Sequence, residues 1–307
     1  MPASVVLFSL RWAIGAGLAF LGAVSAAAQP LVVASYNVQN YTLADRKVAQ
    51  GFRPEYPKLE VEKAALRTVI RALDADVIVL QEIGGPPFLA ELRRDLASEG
   101  VPYPHGEAML AADEARGLGV LSRVPLGAIT AHKDLLARRR GGEGPEAVRR
   151  GLLQVEVPRA GGALTLFVVH LKSRLAVDKD DPRAEDQRVA EAQAVRDRIL
   201  ALFPEPDAAR FLVLGDFNDL PGSRALQAME TRGKTKIATW LDAVDSRGHN
   251  WTHAYPGAGL YSRFDHAFVS EGLANRVARS WIADNAETAR ASDHRPLVVE
   301  LHAEPAR

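Results

Sequence analysis

Residues 211–219, FLVLGDFND, run through four apolar residues and stop on a glycine, an aspartate and an asparagine. A short apolar run bounded by a glycine reads as a buried strand. Polar groups placed directly at its end are aimed with little freedom. Working outward, the same event recurs five more times. LVVASYN ends on Asn37, VIVLQE on Glu82, LTLFVVH on His170, SRFD on Asp265 and SDH on Asp293 with His294, while the first run supplies Asp216 and Asn218. Six strand ends that each deliver a carboxylate, an amide or an imidazole are expected to converge on one pocket.

Between these runs, residues 31–38, 77–80 and 164–169 read as strands, and 57–73 as an amphipathic helix with Leu59, Ala64, Leu66, Val69, Ile70 and Leu73 apolar. Residues 88–97 and 184–202 read as helices, and 119–122, 127–131 and 152–157 as shorter strands. The last third is again strand-rich. Strand, helix and strand recur in both halves, and no Gly/Ser-rich or Pro-rich linker separates them, so one α/β domain is expected. Residues 141–145 and 178–182 read as loops.

The chain has 307 residues, of which 47% are hydrophobic, enough to bury a full core. Its first 28 residues differ from the rest: a start with Arg11 as the one charge, an apolar stretch WAIGAGLAFLGAV, and Ala26-Ala27-Ala28. About 20 apolar residues are needed to cross a bilayer, so this pattern reads as a cleaved secretory signal over 1–28, with the mature domain over 29–307. Export to the periplasm or the medium, with no membrane span left after cleavage, is the expectation. The absence of cysteine excludes disulfides, thiolate metal sites and cysteine nucleophiles. Without residues 1–28 the net charge is −1. That balance offers no global attraction to long polyanions, and local basic groups such as Arg138–Arg140, Arg149 and Arg150 read equally well as solvated loop charge. The chain also shows no obvious exposed apolar hairpin, which weighs against membrane lipids.

Glu82 and Asp293 with the amide oxygen of Asn37 offer hard oxygen ligands, a set that suits Mg²⁺, or Mn²⁺ or Ca²⁺, better than zinc. Asp216 and Asn218, two residues apart, can point the same way if they leave a strand extended, one steering an attacking water or oxyanion for the other. Asp265 can hold His294 in one tautomer and favour its protonated form. His170 can donate to a phosphate oxygen or protonate a leaving group. Such a set suits in-line phosphoester hydrolysis, where positioning and charge stabilisation do most of the work.

ASYNVQN, LQE, VVHLKS, GDFND, RFDH and SDHRP, in this order over residues 34–296, resemble the motif series of the endonuclease/exonuclease/phosphatase superfamily, deoxyribonuclease I-like proteins. The resemblance implies a four-layer α/β/β/α sandwich with two packed mixed β-sheets. It places Asn37 and Glu82 on the metal site, Asp293 on a further metal-binding or histidine-supporting acid, and His170 on the histidine that contacts the scissile phosphate. It also places Asp216 with Asn218 on the water-activating pair, and Asp265 with His294 on the acid–histidine dyad. Lys172 is split between phosphate contact and structural pairing, and Arg263 between contact with an anionic substrate and bracing Asp265. Gln39 stands where the apurinic endonuclease branch has an acid, and His170-Leu171-Lys172-Ser173 where it has a tyrosine motif, which argues against abasic-site repair.

Taken singly, each residue has a plainer reading: Asn37 as a turn former, Glu82 as a surface acid, His170 as a structural histidine, Asp293 as a cap on the final strand. GDFND can be the turn before a helix, with Pro221 and Ser223 near its N-terminus. His253 and His266 read as structural. Jointly the plain readings need six coincidences, so the expected function is a secreted, divalent-metal-dependent phosphoester hydrolase, a phosphodiesterase or nuclease. Its partner is then a phosphoester substrate, with nucleic acid a candidate, and it is expected to act as a monomer. The alternatives are a phosphatase or phospholipase acting on inositol or lipid phosphates, and a non-catalytic anion-binding protein of the same fold.

Overall fold

A computed structural model describes residues 1, 29–49, 51–175 and 178–304. The secretory signal read at 1–28 therefore lies outside the described residues but for Met1. Twelve strands build two six-stranded sheets. In chain order they are β1 (Leu31–Tyr41), β2 (Val77–Ile83), β3 (His105–Met109), β4 (Gly117–Ser122), β5 (Ile129–His132) and β6 (Leu152–Val157). The rest are β7 (Leu164–His170), β8 (Phe211–Asp216), β9 (Thr239–Trp240), β10 (Asp265–Val269), β11 (Val277–Ile282) and β12 (Leu297–Leu301). The first sheet has the order β11-β12-β1-β2-β4-β3 and the second β9-β10-β8-β7-β6-β5. In each, one central parallel pair, β1 with β2 or β7 with β8, is flanked on both sides by antiparallel strands.

Alternation along the strands sorts their side chains into layers. Val77 and Val79, with Leu166, Val168, Leu212 and Leu214, face inward and join the two sheets in one buried cluster. Ile78 and Leu80 face the other way, against α1 (Glu60–Leu73) and α2 (Pro86–Ser98). Phe167, Val169, Phe211 and Val213 pack outward against α3 (Glu185–Leu202) and α4 (Arg224–Glu230). The result is the α/β/β/α sandwich expected from the motifs.

Local chemistry sets the helix starts. Asp181 accepts the N–H groups of Glu185 (2.6 Å) and Gln187 (3.1 Å) and so caps α3, while Ser223 caps α4 through Leu226 N–H at 3.4 Å. In α1, Ala65 is buried and Ala64 exposed, one position off the sequence expectation. Residues 141–144 turn a small hairpin whose strands, Leu136–Arg138 and Pro145–Ala147, take in the end of the expected loop. A second hairpin, Ala44–Val48 with Gly51–Tyr56, is exposed along its return strand and carries no buried periodicity for a sequence reading to find.

This topology decides where the chemistry sits. The carboxyl ends of both parallel pairs, and the amino ends of the antiparallel strands beside them, lie at one end of the sandwich, since Asp216 pairs with Asp265 and Ser35 with Leu297. Gly215 shows how close the strands come there. At φ +150° its position would bring an added Cβ to 1.9 Å from the carbonyl oxygen of Val169, so the glycine of GDFND is required by the approach of β7. We predict that Gly215→Ala lowers unfolding stability by more than about 3 kcal/mol, read as a loss of soluble yield and of the denaturation midpoint.

Candidate active site

Asp216 is the last residue of β8, is 1% exposed, and collects donors from both sheets. Its Oδ2 accepts Asn37 Nδ2 at 3.0 Å and Asn218 Nδ2 at 3.2 Å, and its Oδ1 accepts the N–H of Asn218 at 2.8 Å. His170 Nε2 lies 3.4 Å and His294 Nε2 3.7 Å from the same Oδ2. His294 Nδ1 is bonded to Asp265 Oδ2 at 2.7 Å. Asn37, His170, Asp216, Asn218, Asp265 and His294 therefore form one buried cluster. Asn218 reaches it through a left-handed turn (φ 52°), not along an extended strand, and its amide also donates to Leu171 O at 3.0 Å.

Glu82 stands at a break in the β1–β2 register, at φ 63°. Its Oε2 accepts the N–H of Asn40 at 2.8 Å, and its Oε1 sits 4.0 Å from His170 Nε2. Gln39, Asn40, Glu82 and Asn218, four of the seven non-glycine residues with positive φ among the described residues, are gathered here. Such strain persists only where surrounding contacts hold it. Lys58 bonds Gln39 O and Arg116 bonds Asn40 Oδ1, at 3.0 and 2.7 Å. Asp293 is the least buried acid of the set, with its Oδ2 3.9 Å from His253 Nε2.

Charge states follow from this packing. Burial, then the neighbouring Arg150 charge, holds His170 well below the ordinary imidazole range, so it is a neutral hydrogen-bond donor and not a proton donor. Burial would lower His294 as well, but the carboxylates of Asp265 and Asp216 outweigh it and raise the ring to about 10. Burial, reinforced by Asp265 and Glu82 against the pull of His294, raises Asp216 to about 7. The proton therefore resides on His294, and Asp216 is the group poised to exchange one near neutrality.

Two expected substrate contacts are turned inward. Lys172 is buried, and its ammonium donates to Ser173 O (2.9 Å), Ser173 Oγ (3.2 Å) and Leu175 O (2.5 Å), closing its own loop. Arg263 is buried over the Trp240 ring and donates to Asp242 Oδ1 (2.6 Å), Ala243 O (3.0 Å) and Leu241 O (3.1 Å). The Lys172 ammonium is fully used, and Arg263 keeps only its buried Nε without a partner. Arg150, which the sequence left between local attraction for an anion and solvated loop charge, is the cation that lies beside the site. It is 6% exposed, pairs with Asp113 at 3.2 Å through one nitrogen, and keeps Nε and Nη1 without partners. His266 is structural, between Trp240 Nε1 (3.0 Å) and Asp219 O (2.9 Å).

The dyad is held by Thr252, which no motif announced, and by Ser292 and Arg295, which flank Asp293 and His294 in SDHRP. Thr252 is fully buried, and its Oγ1 accepts the N–H groups of Phe264 and Asp265, both at 3.0 Å, while its carbonyl accepts the N–H of Arg295. Ser292 Oγ donates to Asn37 O (2.8 Å) and accepts from His294 N (3.0 Å), tying the two strand ends. Arg295 stacks on Trp251 at 4.1 Å and pairs with buried Asp245 at 2.8 Å. A threonine between two aromatic-type residues carries no signal of that role in sequence.

Asp216, Asp265 and His294 are the one triple of acids and histidines among the described residues whose ligand atoms all lie within 4.8 Å of one another. His294 Nδ1 is already spent on Asp265 in it, so the donors that suit a cation are the oxygens. Asp265 Oδ1 is buried without a partner, Glu82 Oε1 is outside hydrogen-bond range of His170, and every donor is oxygen or nitrogen. This crowding of carboxylates fits a hard divalent cation. The amide of Asn37 is less simply placed than expected, since its oxygen already accepts the N–H of Gln39 at 3.0 Å.

The family model described as Endonuclease/Exonuclease/phosphatase family matches residues 34–294. The uncharacterized protein YbhP of Escherichia coli K12 is 25% identical over 255 residues, 77% of this chain and 87% of its own length. Among solved structures, humanized D. rerio TDP2 superposes with a TM-score of 0.58 at 15% identity, covering 89% of this chain and 99% of that one. A 3'-5' exonuclease (NExo) from Neisseria meningitidis does so at 0.54 and 18%, covering 89% and 100%. At these identities the structural likenesses establish the fold.

Two outcomes follow. Thr252→Val, which keeps volume and removes the acceptor, is expected to lower kcat about tenfold and stability by about 1–3 kcal/mol, and Thr252→Ser to restore both; steady-state kinetics and thermal melting read this. For Asp245, burial would raise the carboxyl, but the N–H of His249, the Arg295 guanidinium and the N–H of Arg247 hold it well below the usual range. Its contribution is therefore present above the unfolded value of about 4 and lost as pH falls from there. Asp245→Ala is expected to cost about 3 kcal/mol at pH 7, and its melting curve to approach the parent's in acid.

Proposed function

The chain belongs to the endonuclease/exonuclease/phosphatase family, whose members are typically metal-dependent phosphoester hydrolases, and on that premise we propose that it is an exported phosphodiester hydrolase. The observation that carries the proposal is the single buried cluster in which Asp216 meets Asn37, Asn218, His170 and the His294–Asp265 dyad. The oxygen of the attacking water bonds to phosphorus as the ester P–O bond opposite it breaks; Asp216 takes the proton from that water while Asn218 orients it, and the departing alkoxide takes its proton from solvent water. His170, kept neutral, donates its Nε2–H to a non-bridging phosphate oxygen. His294, protonated and fixed by Asp265, stabilises the charge that develops on the phosphoryl group. Arg150, with its two unpartnered nitrogens, and Arg116 supply positive charge beside His170.

A divalent cation, Mg²⁺ first and Mn²⁺ or Ca²⁺ next, would be held by Glu82 with Asn37 and Asp293, and when bound supplies Lewis-acid stabilisation of phosphate oxygen. Nucleic acid is the substrate suggested by the nuclease resemblance. A lipid or inositol phosphate is the second reading, and one observation favours it: the hairpin His253–Tyr255 with Leu260–Ser262, bridged to His294 through His253, carries exposed Tyr255, Leu260 and Tyr261 that the sequence reading did not anticipate. Export rests on the signal read at residues 1–28.

A panel of duplex DNA, single strands, RNA, inositol phosphates, phospholipids and a bis-aryl phosphate, each with Mg²⁺, Mn²⁺ and Ca²⁺, tests the proposal. Asp216→Ala and His294→Ala are expected to lower kcat about a thousandfold, and chelation to abolish turnover. Because Asp216 must be ionised, the rate is expected to rise with pH toward neutrality, and added cation to move that rise to lower pH. Turnover that survives chelation and both substitutions refutes the proposal. Tight binding of phosphate without turnover under any metal would favour the non-catalytic, anion-binding alternative.

A further inference from the structure

One face of α3 carries an acid where its packing calls for an apolar residue. Glu191, Val195 and Ile199, four residues apart, form one stripe of the helix. Val195 and Ile199 pack into the buried cluster that Phe167 and Val169 of β7 also enter. Glu191 is 1% exposed, yet its bonding is incomplete: Oε2 accepts the N–H of Lys172 at 2.7 Å, and Oε1 is buried without a partner. A carboxylate is costly in such a place unless it is paired, so packing alone does not account for an acid here.

What Glu191 touches is the chain that carries the site. Lys172 follows His170, the last residue of β7, by two positions. The Arg150 guanidinium, two residues before β6, is the strongest charge acting on both the Glu191 carboxyl and the His170 ring. Its Nε and Nη1 lack partners, as do Glu191 Oε1 and His170 Nδ1. The neighbouring charges are engaged elsewhere. Lys172 closes its own loop, and Arg188, on the preceding turn of α3, holds Asp219 at 3.2 Å and Arg183 O at 2.7 Å. Asp113 pairs with Arg150 at 3.2 Å and Arg149 at 3.8 Å. Burial raises the Glu191 carboxyl to about 7, against the pull of the Lys172 N–H, Arg150, the Arg149 N–H and the Lys172 ammonium. Its charge therefore changes near neutrality.

We infer that Glu191 is a positioning residue for the reaction: when ionised it holds the peptide that follows His170 and steadies Arg150, and so aims the His170 Nε2–H at the phosphate oxygen. The effect on rate rests on the phosphoester hydrolase reading; the coupling of Glu191 to His170 does not. Turnover of a bis-aryl phosphate with Mg²⁺ is followed against pH for the parent, Glu191→Gln and Glu191→Met. The Lys172 amide and the His170 ring nitrogens are followed by NMR in Asp216→Asn, which removes the other acid that titrates beside the ring. The parent's rate is expected to show an ionisation near neutrality that added cation leaves in place, with the same midpoint as the Lys172 amide and the His170 ring. Glu191→Gln, which keeps an acceptor for the Lys172 N–H, is expected to abolish that ionisation and lower kcat about tenfold, with KM within about twofold. Glu191→Met, which fills the stripe with an uncharged chain, is expected to remain folded in thermal melting and to lower kcat at least as far. Parental kcat in either variant overturns the inference. So does a lowered kcat in Glu191→Gln with the cation-insensitive ionisation still present, the mark of a merely structural part. A Lys172 amide that does not titrate between about pH 5 and 9 overturns it as well, whether or not the variants fold. A shared midpoint for Lys172 and His170 in a protein that turns over no phosphoester would uphold the coupling and refute hydrolysis, so the two failures are distinguishable.

Discussion

One buried carboxylate joins the two sheets. Asp216 sits at the end of β8 in the second sheet, and Asn37, from β1 in the first, donates to it across 179 residues of sequence. A lone ionised acid in such a place would cost several kcal/mol. Its cost is offset by the amides of Asn37 and Asn218, the backbone N–H of Asn218, the nearby imidazole of His170 and the imidazolium of His294, side chains that come from four strand ends. The same contacts that make the acid tolerable fix the distances on which proton transfer depends.

The surroundings of that acid are built to hold strained backbone. Gln39, Asn40, Glu82 and Asn218 all have φ near +50° or +60°, and each is anchored by a neighbour: Lys58 on Gln39 O, Arg116 and Glu82 on Asn40, Leu171 O on the Asn218 amide. Register breaks in β1 and β2 place the strain. A regular strand would direct alternate residues to opposite faces, and Asn37 and Glu82 would not both remain beside the gap between the sheets. Irregularity here is what lets two sheets share one set of side chains.

Much of this was legible in the sequence. Apolar runs that stop on a polar residue gave the central strands to within a few positions, because buried parallel pairs need continuous apolar stretches. The six strand ends named the cluster. What stayed hidden depends on distance across the chain. Thr252 clamps Asp265 and Arg295 through a hydroxyl and a carbonyl, a role set by where a loop returns. Lys172 and Arg263 look like phosphate ligands by type, yet buried carbonyls and Asp242 absorb their donors. Arg150, open in sequence between attraction for an anion and loop charge, is nearly buried. The hairpins of 44–56 and 253–262 lack periodicity because no face of them packs on the core.

β1 lies between β2 and β12, so the opening strand of the domain is hydrogen-bonded to its closing one. The first sheet cannot be completed until residues 297–301 have been made, and His294 arrives only just before them. A growing chain therefore carries Glu82 and His170, and from residue 216 onward Asp216 as well, before the strand that brings His294 to them exists. Loss of β12 together with His294 would leave the same incomplete state, so the order of the strands ties assembly of the buried cluster to closure of the first sheet.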